Sequence, residues 1–294
     1  MTDLRRRAIE IYDAFTHEHR DRRALLREMA ALAGSVAAAE TLIAGLAASP
    51  AAAQQVPEDA PGIEVAARTV LVGNGVKTQA YSVGPKGVVH PATVIVIHEN
   101  CGLTPHIKDV ARRIAFAGFH AVALDLLSAA GGTPADEDKA RELIGALDLA
   151  STTATVVAAV RQFKALPKGN GKVGIIGFCW GGAMVNRVAV SAGQDLSAGV
   201  AYYGPAPDPS EAGKVQAPLM LHYAGNDARV AQTGAPWVAA LKAAGKPVEA
   251  FTYPGVEHAF NNDTSAERYN AAAAKLAWDR TIGFFHKRLD ARRG

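Results

Sequence analysis

The stretch VGIIGFCWGG, residues 173–182, carries the strongest fold signal in the chain. Residues 173–176 are apolar and rich in β-branched side chains, which is typical of a strand buried on both faces. A helix is predicted over 182–191, so Cys179 lies on a sharp turn where Gly177 and Gly181 permit close contact between helix and strand. A free cysteine is more often buried and inert. This position, at a helix N-terminus that favours the thiolate, predicts a nucleophile instead.

Apolar runs alternate with helical patterns on both sides of this stretch. A hairpin is predicted over 70–82, interrupted by Gly73-Asn74-Gly75. This alternation predicts an α/β fold with a mainly parallel sheet and helices on both faces. Ligands bind at the carboxyl ends of strands in such sheets, so the residues after each strand are the candidates for a site. The predicted strands are 93–97, 121–124, 173–176, 200–203, 219–223 and 248–253, and the predicted helices are 107–117, 151–164, 182–191, 236–244 and 266–287.

Two further strand ends carry side chains that complete a catalytic set. Asp227 follows the strand at 219–223, and His258 follows the strand at 248–253. Alone, Asp227 is an ordinary turn residue and His258 an ordinary loop histidine. The order Cys179, Asp227, His258 is the nucleophile–acid–histidine order of the α/β-hydrolase fold. The sequence therefore predicts that fold, with Cys179 as nucleophile, His258 as base and Asp227 orienting the base.

The loop after the strand at 93–97 reads His98-Glu99-Asn100-Cys101-Gly102. In this fold, that loop supplies one N–H group of the oxyanion hole, and the residue after the nucleophile supplies the other. We assign these two donors to Asn100 and Trp180. Glu99 is expected near the thiol, the alternative being a helix cap. Cys101 is expected in the pocket wall, and His98 is expected to be structural.

Together these residues closely resemble the dienelactone hydrolase (carboxymethylenebutenolidase) family. The resemblance covers roughly residues 65–288 and suggests a longer bacterial branch with an N-terminal extension. It rests on the Cys-containing turn, on Glu99 after the first central strand, on Tyr202-Tyr203-Gly204, on Asp227 and on residues 255–260. Cysteine in the turn combined with Glu99 distinguishes this family from serine esterases.

The resemblance implies a mechanism. Glu99 holds the resting thiol of Cys179, moves when substrate binds and takes the proton. The thiolate attacks an ester or lactone carbonyl, and His258 then activates the water that hydrolyses the thioester. A thioesterase or acyltransferase with the same three residues, and a non-catalytic thiol sensor that pairs Cys179 with Cys101, remain alternatives.

The resemblance also implies substrate contacts. Tyr202 matches a pocket tyrosine of the family. The family's carboxylate-binding arginine, four positions after the histidine, is replaced by Asn262, and Arg229 is a candidate substitute. The sequence therefore predicts a small-molecule substrate, with neutral esters or lactones hydrolysed at least as well as dienelactone.

The composition narrows the classes of function. The chain has 294 residues, 49% of them hydrophobic, enough for one large α/β domain with an appendage. A net charge of +3 with both signs interspersed argues against a nucleic-acid partner. With two cysteines, and with no His/Cys spacing typical of zinc sites, no metal or other cofactor is predicted. No stretch after residue 60 is long and apolar enough to span a membrane.

The N-terminal part permits two interpretations. We predict a helical arm and linker over residues 1–60, a catalytic domain over 61–294 and possible homo-oligomer formation through the arm. Asp21 is expected to cap a helix that Gly34 ends. Alternatively, Arg22-Arg23 and the Ala/Leu-rich run after it resemble a twin-arginine export signal. The expected location is cytoplasmic for a retained arm and periplasmic for a cleaved signal.

Overall fold

The computed structural model describes residues 3–17, 20–47, 55–72 and 76–290. The strands are β1 Ile63–Val72, β2 Val76–Pro85, β3 Thr93–Ile97, β4 His120–Asp125, β5 Val173–Phe178, β6 Ala198–Tyr202, β7 Leu219–Ala224 and β8 Val248–Tyr253. The helices are α1 Asp3–His17, α2 Arg22–Ala33, α3 Val36–Leu46, α4 Pro105–Phe116, α5 Glu137–Gly145, α6 Leu149–Lys164, α7 Trp180–Ser191, α8 Ala228–Ala243 and α9 Ala271–Leu289. Short 3-10 turns occur at Ser128–Ala130, Gly193–Asp195 and Pro209–Lys214.

The strands form one sheet in the order β1-β2-β4-β3-β5-β6-β7-β8. The six strands from β4 to β8 in this order run parallel, whereas β1 and β2 form an antiparallel hairpin at one edge. One apolar core packs α4 and α9 on one face, and a second core packs α6, α7 and α8 on the other. This confirms the predicted α/β-hydrolase fold. The predicted hairpin turn, residues 73–75, lies outside the described residues.

Two helix starts differ from the sequence prediction by five residues or more, and side-chain capping explains both. Helix α8 begins at Ala228 instead of residue 236 because the Asp227 carboxylate accepts the Val230 N–H at 3.0 Å. Pro236 lies inside this helix. Helix α9 begins at Ala271 instead of residue 266, because Asn270 caps it through the Ala273 N–H. Helix α5 was not predicted.

Helices α1 to α3 form the predicted N-terminal arm, with a small apolar cluster of their own. The predicted boundaries of α2 are confirmed: Asp21 accepts the Ala24 N–H at 2.7 Å, and Gly34 closes the helix with φ 80°. The division at residue 60 and oligomer formation through the arm stay predictions. No described helix is by itself long and apolar enough to cross a membrane, and only the bent pairs α2–α3 and α5–α6 meet the length and composition criteria together.

The arm packs on the body of its own chain beside the carboxyl ends of the strands. The Arg268 guanidinium lies 5.1 Å from the ring centre of Tyr12, and its Nη1 atom is 3.3 Å from Asp13. The Arg141 guanidinium lies 5.2 Å from the ring centre of Phe15. These cation–π contacts and the ion pair attach α1 to two separate elements of the body.

Candidate active site

Cys179 lies on a tight turn between β5 and α7 in a conformation that L-residues rarely adopt. Its φ and ψ angles are 54° and −116°. A Cβ atom at Gly177 would lie 2.2 Å from the Gly181 carbonyl oxygen, and one at Gly181 would lie 2.4 Å from the His98 carbonyl oxygen. Glycine is therefore required at both positions, as the sequence predicted. The turn leaves the cysteine at the N-terminus of a twelve-residue helix.

Asp227 and His258 form a buried pair at the same edge of the sheet. His258 donates from Nδ1 to Asp227 Oδ2 at 2.5 Å, while the other carboxylate oxygen caps α8. Burial opposes ionisation of Asp227, but the charge and hydrogen bond of His258 outweigh it and lower the pKa of the carboxyl. The carboxylate thus fixes the imidazole so that Nε2 is the free nitrogen.

Nε2 of His258 is buried and has no hydrogen-bond partner within the described residues. Burial acts to lower the pKa of His258, but Asp227 and the Cys179 sulfur outweigh it and raise that pKa to about 10. A raised pKa means that the site stabilises the imidazolium form. His258 is therefore suited to accept a proton from a nearby thiol.

The arm adds His17, which sequence reasoning missed. His17 is the last residue of α1, and its Nδ1 and Nε2 atoms lie 3.9 and 4.0 Å from Cys179 Sγ. Its ring meets that of His258 edge-on, with centroids 4.7 Å apart. Burial, followed by the charge of His258, holds the pKa of His17 well below its usual range.

The absence of a metal site stays a prediction, although three side chains with metal-binding atoms come together here. The group consists of His17, Cys179 and His258. Each offers one ligand atom, and these three atoms all lie within 4.8 Å of one another. Sequence spacing could not reveal this group because its members are far apart in the chain. Thiolate and imidazole are the ligands that zinc prefers.

Glu99 does not hold the thiol in this structure. It lines the same cleft as Cys179, but its Oε2 accepts from Asn262 Nδ2 at 2.7 Å and its Oε1 from the Tyr203 hydroxyl at 3.4 Å. No hydrogen bond between Glu99 and Cys179 is present in the described part of the chain, where the thiol contacts His17 instead. The implied resting contact is therefore replaced by an arm residue.

Asn262 was predicted to bind substrate, but the protein itself uses its side chain. The side chain lines the cleft, but its amide donates to Glu99, and its carbonyl oxygen accepts from the N–H of Thr264 at 3.1 Å. Both ends of the amide are thus occupied by the protein. Asn262 positions Glu99, and it is not free to bind substrate in this conformation.

Tyr202 does not line the pocket, contrary to the prediction. It is fully buried under the site, and its hydroxyl is 2.7 Å from Thr281 Oγ1. The neighbouring Tyr203 reaches the site instead, because its ring is 5.0 Å from that of His258 and its hydroxyl contacts Glu99. Tyr203 has φ 37°, which turns the chain at the end of β6.

The two predicted oxyanion donors come from different parts of the fold. Trp180 is the first residue of α7, where an N–H has no acceptor within the helix. Asn100 lies in the loop after β3, and its side-chain amide donates to the Thr16 carbonyl of the arm at 2.8 Å. The assignment of their backbone N–H groups to an oxyanion stays a prediction.

The remaining candidates have structural surroundings. His98 is buried: its Nδ1 donates to the Glu99 carbonyl at 2.7 Å, its Nε2 accepts the Leu126 N–H at 3.3 Å, and its ring stacks on Trp180.

Cys101 lines the cleft, and its Sγ lies 3.2 Å from Arg141 Nη1. Burial raises the pKa of the Cys101 thiol to about 12 despite that arginine, so its thiolate is disfavoured. Arg229 is half-buried and lines the outer cleft together with Cys179.

Comparison with known proteins agrees with this geometry. The model of the dienelactone hydrolase family matches residues 78–289. A protein of Escherichia coli (strain K12) assigned as a carboxymethylenebutenolidase is 33% identical over 257 residues, covering 81% of this chain and 93% of the relative. The carboxymethylenebutenolidase of Pseudomonas putida is 31% identical over 204 residues, 66% of this chain and 85% of the relative.

A solved structure shows the same relationship. The crystal structure assigned as a dienelactone hydrolase from Klebsiella pneumoniae subsp. pneumoniae MGH 78578 has a TM-score of 0.69 and 29% sequence identity, covering 76% of this chain and 99% of that one. The chain therefore belongs to the dienelactone hydrolase family and is a hydrolase of lactones or esters. Helices α1 to α3 lie outside the residues that the family model matches.

Proposed function

We propose that this chain hydrolyses neutral carboxylic esters or lactones through a thioester on Cys179. The observation that carries the proposal is the buried set of Cys179, His258 and Asp227. In it, the carboxylate fixes Nδ1 of the imidazole at 2.5 Å and leaves Nε2 without a partner among the described residues. Such a set is suited to covalent catalysis.

The chemistry runs in two halves. The Cys179 thiol gives its proton to His258, and the thiolate adds to the ester carbonyl, with the N–H groups of Asn100 and Trp180 stabilising the oxyanion. Each donor contributes about 3–4 kcal/mol. The alkoxide leaves with the proton from His258, and the acyl group stays on sulfur as a thioester. His258 then takes a proton from water, the hydroxide attacks the thioester, and acid and thiol are released.

The preference for neutral substrates is supported by the charges that line the cleft. The Glu99 carboxylate lies on the same inner cleft as the thiol and repels an anionic group. Two arginines on that cleft are paired with carboxylates, Arg141 with Asp138 and Arg268 with Asp13. Placing a substrate carboxylate there without a free cation forgoes a charge-assisted hydrogen bond, worth about 1.5–3 kcal/mol.

We expect p-nitrophenyl acetate and a neutral lactone to be hydrolysed with kcat/KM at least equal to that for cis-dienelactone. All three are measured on one preparation in buffer containing a chelator, and iodoacetamide should abolish turnover of each. A preference of tenfold or more for dienelactone that is lost in Arg229→Ala would show that Arg229 binds the carboxylate. No turnover of any ester or lactone would overturn the proposed function.

We also propose that the arm remains on the mature protein and that the chain stays in the cytoplasm. Support comes from the Asn100–Thr16 and Arg268–Asp13 contacts, which attach α1 beside the nucleophile. We expect protein purified from its native host to have an intact mass that includes residues 3–47. A mass that begins near residue 50, together with recovery from the periplasm, would contradict this proposal.

A further inference from the structure

His17, Cys179 and His258 form a group that the hydrolytic mechanism does not need in full. His17 comes from the arm, whereas the other two residues belong to the catalytic set. One nitrogen or sulfur atom from each lies within 4.8 Å of the others. The ligand atoms of a tetrahedral zinc ion lie about 3.3–3.6 Å apart, given bond lengths of about 2.0–2.3 Å. A shift of roughly 1 Å would therefore bring the three atoms to ligand distance.

The orientation of His258 provides a second, independent observation. Its side chain is 3% exposed, and Nε2 is buried without a hydrogen-bond partner among the described residues. Its other nitrogen donates to Asp227 at 2.5 Å. A histidine that binds zinc typically donates its second N–H to a carboxylate, which orients the ring and raises its basicity. Asp227 already holds His258 in this way.

The ligand types favour one class of ion. A thiolate and two imidazoles suit Zn²⁺ and are poor ligands for Mg²⁺ or Ca²⁺, which prefer oxygen. Three protein ligands beside a cleft leave the fourth position of a tetrahedral ion for water. The Cys179 thiol releases its proton to solvent as the sulfur–metal bond forms. An ion bound there occupies both the nucleophile and the base.

We propose that His17, Cys179 and His258 form a zinc-binding site that reversibly blocks the hydrolase, with the arm supplying the ligand that the catalytic set lacks. The inference concerns metal binding, which is measured without turnover. The blocking of hydrolysis rests on the proposed function but metal binding does not, so failure of the two can be distinguished.

The test uses the full chain, stripped of metal with a chelator and kept reduced. Titration with Co²⁺ should give one equivalent of bound metal, with a thiolate-to-cobalt charge-transfer band and the visible bands of tetrahedral cobalt. Zn²⁺ should displace the cobalt, and competition with a chromogenic chelator gives its Kd. The same Zn²⁺ concentrations should inhibit hydrolysis of p-nitrophenyl acetate.

Variants assign the ligands. Cys179→Ala should lose the charge-transfer band, whereas Cys101→Ala, which changes the other cysteine of the cleft, should retain both the band and the Kd. His17→Ala and His17→Gln should each raise the Kd for Zn²⁺ at least tenfold, whereas His286→Ala, at an exposed histidine of α9, should leave it unchanged. Circular dichroism checks that each variant is folded. Absence of the band, its persistence in Cys179→Ala, or an unchanged Kd in both His17 variants would overturn the proposal.

Discussion

Replacing Cys179 with alanine is expected to lower kcat/KM for p-nitrophenyl acetate by far more than a hundredfold. The substitution removes the atom that forms the thioester, and loss of a nucleophile typically costs several orders of magnitude in kcat. Alanine retains the Cβ atom and needs no additional space, so the turn at φ 54° is expected to be preserved. Turnover is measured at substrate concentrations above and below KM.

Cys101→Ala is the matched control for this variant. Both sulfurs line the same cleft, but Cys101 contacts Arg141 instead of the catalytic imidazole. We expect Cys101→Ala to retain activity within a few-fold of the original chain. Residual activity of Cys179→Ala above about a hundredth, with an unchanged melting temperature, would show that Cys179 is not the nucleophile.

Replacing Asp227 with asparagine is expected to lower kcat about 10³- to 10⁴-fold, with a much smaller change in KM. The asparagine amide donates to Nδ1 of His258 where the carboxylate accepts, so the proton moves to Nε2. His258 then cannot take a proton from the thiol or from water. The measurement is steady-state kinetics on a neutral ester, with kcat and KM determined separately.

Asp227 also caps helix α8, and this second role needs a control of its own. Its other oxygen caps α8 through the Val230 N–H, and asparagine is an equally good cap, so stability should change little. Asp208→Asn changes a comparable cap, in which the carboxylate accepts the Ser210 N–H at 2.8 Å, away from the site. It should leave kcat unchanged. If Asp227→Asn also leaves kcat unchanged, Asp227 is a capping residue alone.

The sheet and the pair of Asp227 and His258 could be predicted because their signals are local. A strand, a glycine-framed turn and a helix lie within residues 173–191, and Asp227 and His258 each follow a strand of their own. The carboxyl ends of parallel strands meet at one edge of the sheet, so chain order predicts proximity. Helix starts were predicted less well where an N-cap lay outside the apolar pattern, as at Asp227 and Asn270.

The errors concern contacts that no local pattern encodes. His17 ends an amphipathic helix, and nothing near it indicates that it reaches Cys179, 162 residues away. Glu99 has the neighbour Asn262 because two loops meet in space. Tyr202 was assigned to the pocket from the family resemblance alone, whereas the structure places its neighbour Tyr203, with φ 37°, beside His258.

The docking of the arm also has a consequence for folding during synthesis, because the arm is made long before one of its partners. Asp13 pairs with Arg268, 255 residues later in the chain. At about 5–20 residues per second, a ribosome needs roughly 13–50 s to make that interval. Until then the nascent arm has its own small apolar cluster and, once they are made, its partners Asn100 and Arg141. Helix α1 thus cannot complete its contacts until Arg268 has been made, and His17 then reaches a Cys179 turn whose strand and helix were translated earlier.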